Sequence, residues 1–142
     1  MIQEIHTTVL QKCLRILLGA FMALAAIAHL TFARAEFQAQ VPDWMPLSKD
    51  LVVILSGIIE LSLGLSMIFW KRKRVGVGIV LAVFYVLIFP GNVAQYVNHI
   101  PAFGLSTDKA RLIRLFLQPV LILWALWSTG ALQYFSRQRK TF

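Results

Sequence analysis

Apolar residues gather into four blocks along this chain, at roughly 14–33, 51–70, 75–97 and 112–135, separated by short stretches rich in charge, proline and glycine. Each block holds the roughly 20 residues that cross about 30 Å of hydrocarbon at about 1.5 Å of helical rise per residue. No run alternates apolar and polar residues over about ten positions, as the strands of a membrane barrel do. Helices are therefore the predicted way to pair every backbone group in lipid. The expected fold is all-α: an integral-membrane four-helix bundle forming one domain over residues 1–142.

Helical periodicity singles out one face in each block. In the first it reads Arg15, Gly19, Met22, Ala26, His29, Ala33, and in the second Val53, Gly57, Glu60, Gly64, Met67. The third gives Gly78, Ala82, Tyr85, Phe89, Asn92, Tyr96, and the fourth Arg111, Arg114, Gln118, Leu121, Ala125, Ser128. These faces mix small with polar residues, while the opposite faces are mostly Leu, Ile, Val and Phe. Small residues let membrane helices approach closely and polar ones bond across the gap. The four faces are predicted to line the bundle interior.

Composition supports the membrane reading. Of 142 residues 58% are hydrophobic, with a mean hydropathy of +0.72, more than a soluble core of this size can hide. A net charge of +8 raises nucleic acid as a partner, but the cations flank the apolar blocks. Lys12, Arg15, Lys71, Arg72, Lys73, Arg74, Arg137, Arg139 and Lys140 fall on one side of the bilayer. Arg34, Lys49, Lys109, Arg111 and Arg114 fall on the other. The excess places both termini in the cytoplasm, with Lys71–Arg74 as a short turn against anionic lipid. The partner implied is the lipid bilayer, not nucleic acid. The single cysteine, Cys13, excludes an internal disulfide and a Cys-x-x-Cys redox pair. A rival reading takes the first block and Ala33-Arg34-Ala35 as a cleaved signal peptide, leaving three spans. The block's length, and His29 on the shared face, favour a retained helix.

Glu60 lies mid-span, where a carboxyl is costly and usually has a partner or a function. With the termini inside, His29 lies about 6 Å, and Glu60 about 14 Å, below the outer ends of their helices at the rise of the α-helix. Asn92, Gln95, Arg114 and Gln118 also fall in the outer halves, while the inner half offers little that is polar beyond Ser66 and Ser128. The pattern predicts a pocket open to the outer face and closed below by apolar packing, not a through-channel. Pro90 and Pro119 deprive the carbonyls of Val86 and Leu115 of their amide donors. Either a hydrated cavity answers them or the helices simply kink. In the loop Val41-Pro42-Asp43-Trp44-Met45-Pro46, Trp44 is expected either as a lid over the pocket mouth or as an interfacial anchor.

The predicted ligand-binding set is His29, Glu60, Tyr85, Asn92, Arg114 and Gln118, with Tyr85, Phe89 and Tyr96 as apolar walls. Glu60 and His29 are titrating groups, and proton exchange beside a flat apolar molecule suits a quinone. The bland alternative has Glu60 pairing with Arg114 or His29 only to hold the bundle together, in a non-enzymatic accessory or assembly module. His29, Glu60 and His99 show no local metal-ligand spacing, and no nucleophile elbow or phosphate loop occurs.

An ordered set of short motifs carries a family resemblance. Ala28-His29-Leu30, Val41-Pro42-Asp43-Trp44-Met45-Pro46, Ser56-Gly57-Ile58-Ile59-Glu60, Phe89-Pro90-Gly91-Asn92, Arg114-Leu115-Phe116-Leu117-Gln118 and Trp124 resemble the DoxX-like family of small bacterial membrane proteins, from about Arg15 to Trp127. That family more often has Pro-Ala-Asn where this chain has Pro90-Gly91-Asn92. The resemblance implies a four-helix bundle in the bacterial plasma membrane with its first helix retained. It also implies a link to respiratory redox complexes, since founding relatives are subunits of a thiosulfate:quinone oxidoreductase. It supplies no catalytic residue.

Overall fold

Thr8 starts the first helix. Its hydroxyl accepts from the Gln11 amide while its own amide donates to the Gln11 side chain, a reciprocal cap that satisfies two otherwise orphaned donors. In this computed structural model, which describes residues 4–102, 104 and 106–140, α1 therefore spans Val9–Leu30, starting and ending earlier than the predicted 14–33. Thr31 leaves helical geometry and its hydroxyl bonds back to the Ile27 carbonyl at 2.6 Å. A separate short helix follows, α2 (Arg34–Gln38).

Ser48 caps α3 (Lys49–Phe69) through the Leu51 amide, and Asp50 in its first turn complements the helix dipole. A 3-10 turn, Lys71–Lys73, leads into α4 (Arg74–Val97). Thr107 caps α5 (Asp108–Ser128). Pro90 and Pro119 sit inside α4 and α5 without ending them. Gly130, with φ +83°, does end the fourth span, so the predicted 112–135 block is two elements, α5 and a surface helix α6 (Ala131–Gln138). That φ is one L side chains rarely adopt.

Four stretches, Val9–Leu30, Lys49–Phe69, Lys71–Val97 and Asp108–Ser128, are long and apolar enough to cross a membrane. The protein is a multi-pass membrane protein built as an all-α bundle. α1 packs along α3 and α4 along α5, and the two pairs meet more sparsely through α1–α5 and α3–α4. Gly19 and Gly64 make the α1–α3 seam: a Cβ on Gly19 would stand 2.7 Å from the Gly64 carbonyl oxygen, and one on Gly64 2.9 Å from that of Gly19. Only glycine lets these backbones touch.

The apolar core, with Leu18, Met22, Met67, Leu81 and Ala125 at its centre, fills the half of the bundle that holds the start of α1, the 71–73 turn and α6 (the terminal end). Polar groups are also buried at that end, which the sequence reading left almost without them. Arg15, a flanking cation that also heads the predicted interior face of the first block, is buried with its guanidinium on the Met67 carbonyl. Gln11 donates to the Trp127 carbonyl at 2.7 Å. Both carbonyls lie in the last turns of α3 and α5, where intrahelical donors run out. The opposite end, with residues 31–48, 98–102 and 106–107, is the loop end.

Candidate functional site

Gly57 lets α1 and α3 close together at the loop end. A Cβ there would meet the His29 Cβ at 3.0 Å. Glu60, one turn further on, thereby reaches His29: Nδ1 stands 2.7 Å from Oε2. The same Nδ1 is 3.2 Å from the Ala25 carbonyl. Both neighbours present oxygens that can accept, so Nδ1 is the ring nitrogen turned to donate toward them. The close approach leaves Oε2 without a completed hydrogen bond, although Glu60 is only 8% exposed. His29 is thus its one close polar neighbour, and a buried oxygen without a full hydrogen bond is costly.

Phe37 of α2 stacks on the His29 ring, with 3.2 Å between centroids and 27° between planes. It was not among the predicted residues. α2 is too short for a periodic signal, and the contact depends on how the chain folds back after Leu30.

Across the bundle, Gln118 clamps α4 to α5. It is fully buried. Its Nε2 donates to the Tyr85 carbonyl at 2.8 Å, and its Oε1 accepts from Asn92 Nδ2 at 3.1 Å and from Arg114 Nη1 at 3.3 Å. The Tyr85 carbonyl is one residue before that of Val86, which Pro90 deprives of its amide. Glu60 takes His29, not Arg114, as its ion-pair partner.

Between these two sides lies a cavity of about 290 Å³. His29, Glu60, Tyr85, Asn92, Arg114 and Gln118 all line it, together with Phe37, Ser56, Phe84 and Leu121. Phe89 and Tyr96, expected as walls, do not. α4 turns Phe84 inward beside the expected Tyr85, and buries Gln95 in place of Tyr96. Trp44 lines the cavity and is 70% exposed, whereas Val41, which also lines it, is buried and Phe37 half-buried. The 37–41 segment is tied to α4 by Gln40, whose Nε2 donates to Gln95 Oε1 at 3.1 Å and whose carbonyl oxygen would stand 2.4 Å from a Cβ on Gly91. Gln95 in turn donates to the Ile100 carbonyl at 3.3 Å. Among the described residues, no three His, Cys, Asp or Glu side chains gather to hold a metal.

Fold and cavity define the class: a small multi-pass membrane bundle with a mostly apolar cavity, carrying a few polar side chains, inside its loop half. The chain belongs to the family described as "Domain of unknown function (DUF8561)", which matches residues 18–129 and so reaches from within α1 to just beyond α5. No such match stands behind the DoxX-like resemblance. No curated protein and no solved structure matches the chain.

Proposed function

We propose that this protein binds a small, flat hydrophobic molecule of the quinone–quinol class in the cavity of its loop half. The observation that carries the reading is Glu60 Oε2: buried, without a completed hydrogen bond, and set beside His29 in an otherwise largely apolar cavity. A plain hydrocarbon would leave that oxygen unsatisfied, whereas a hydroxyl donates to it. His29, with Nδ1–H held toward two oxygens, has Nε2 available to take a proton. Arg114 and Asn92 present N–H groups from the α4–α5 side, and a quinone carries oxygens at opposite ends of its ring. Phe37, Phe84 and Tyr85 supply aromatic walls for the ring itself.

The DoxX-like resemblance adds a setting to this reading: a subunit of a redox system in the bacterial plasma membrane. The charge pattern adds an orientation, with both termini cytoplasmic and the cavity toward the outer face. A second reading, an accessory module whose polar core only fixes helix packing, is favoured by the Gln118 clamp, whose bonds all close within the chain.

The test is to purify the protein from membranes in mild detergent, extract it, and quantify quinone per protein. The comparison is with a Glu60→Gln, His29→Ala double variant, alongside thermal unfolding of both. Quinone retained by the unmodified protein and absent from an equally stable double variant supports binding. Equal quinone content in the two overturns it.

A further inference from the structure

The two ends of the bundle treat their cations differently. At the loop end carboxylates neutralise three of them within the chain: Asp50 holds Arg34, Asp43 holds Lys49 at 2.7 Å, and Asp108 holds Arg111 at 2.6 Å. At the terminal end Lys12, Lys71, Arg72, Arg139 and Lys140 have no carboxylate partner among the described residues. Glu4 is the one acidic side chain in the flanking segments there.

Two further arginines deepen the imbalance. Arg15 is buried on the Met67 carbonyl, and Arg74 leans on the carbonyls of Ile5 and Lys71. A backbone carbonyl orients a guanidinium but leaves its charge whole. With neither of these two charges met by a carboxylate among the described residues, this end carries a positive field.

α6 gives that field a surface. The turn at Gly130 takes the chain out of the α5 span, and Ala131 then anchors α6 at 0% exposure. Leu132 and Phe135 remain about two-fifths exposed, and Arg139 and Lys140 follow directly. Half-exposed apolar residues beside cations are the mark of a helix lying in the headgroup layer. α6 packs against α4 and α5, near the Lys71–Arg74 turn where α4 begins. In that turn Lys73 Nζ sits 4.8 Å over the Trp70 ring, itself an interfacial side chain.

We propose that the terminal end is a docking surface for anionic phospholipid headgroups, with Lys71, Arg72, Arg139 and Lys140 as the neutralised cations. The headgroup phosphates supply the counter-charge that the fold lacks, while Leu132 and Phe135 enter the acyl boundary. The inference is independent of what the cavity binds.

The experiment uses the full chain in detergent, with thermal unfolding measured after adding phosphatidylglycerol, phosphatidylcholine or inorganic phosphate, and lipid retention measured after washing. Phosphatidylglycerol should raise the unfolding temperature above the phosphatidylcholine value and be retained preferentially. Inorganic phosphate should do neither. A Lys71→Gln, Arg72→Gln, Arg139→Gln, Lys140→Gln variant should lose the preference, each removed cation weakening retention about fivefold. A loop-end Lys49→Gln, Lys109→Gln variant should keep it. Equal effects of the two lipids, an unchanged preference in the quadruple variant, or full replacement by inorganic phosphate would each overturn the proposal.

Discussion

His29 Nδ1 stands 2.7 Å from Glu60 Oε2, across a helix seam that Gly57 holds closed. The contact depends on a hydrogen atom in place of a side chain one turn away. Gly57→Leu should force α1 and α3 apart, costing about 1–3 kcal/mol as overpacked cores do, and should abolish quinone retention. Ile58→Leu, on the half-exposed lipid face, should change neither. Unfolding temperature and quinone content of the purified variants are the readouts.

The Gln118 clamp yields a stability prediction. Gln118→Leu leaves the Asn92 side-chain amide and an Arg114 N–H without the partner they have here, at a site with no solvent exposure. One stranded buried group costs about 1–3 kcal/mol, so the variant should lose at least about 2 kcal/mol in equilibrium unfolding. Leu117→Ala, next to it but half-exposed to lipid, should be milder.

Phe37 covers His29 while contributing little to the four-helix core. Phe37→Ala removes an aromatic contact worth about 0.5–1.5 kcal/mol, so quinone retention should fall about two- to tenfold with little change in unfolding temperature. Trp44→Ala, at the exposed rim, should weaken retention less. The reverse ranking would make Trp44, not Phe37, the roof.

Orientation is open to a labelling test. In a Cys13→Ser background, Arg139→Cys places the single thiol on the exposed flank beyond α6. A membrane-impermeant maleimide should leave it unmodified in intact spheroplasts and modify it after permeabilisation. Modification before permeabilisation would put the termini, and with them the basic surface, on the outside.

Much of the fold was legible because lipid imposes one period on every span. The α3 face Val53, Gly57, Glu60, Gly64, Met67 was predicted residue by residue and is the buried face observed. On α5, Arg111, Gln118, Ala125 and Ser128 are buried as expected, with Arg114 and Leu121 half-buried. What periodicity does not encode is where a helix stops. Thr8 and Gly130 move two helix ends by several residues each, through a cap and a left-handed backbone. Nor does it encode contacts between distant segments. Gln40 and Gln95 are 55 positions apart in sequence, and Phe37 reaches His29 only once the chain has folded back. The sequence reading brought six residues to one level of the membrane; the structure adds which touch, pairing Glu60 with His29 and Arg114 with Gln118.

The turn at Gly130 has a consequence for the bilayer itself. α5 has 21 residues, and α3 the same number, each about 31 Å long at helical rise and close to the hydrocarbon thickness of about 30 Å. Were α5 and α6 one continuous rod from Asp108 to Gln138, it would measure about 46 Å. It would then have to tilt steeply or thrust its basic tail beyond the headgroups. By interrupting the helix where it does, one glycine gauges how thick a membrane this protein fits.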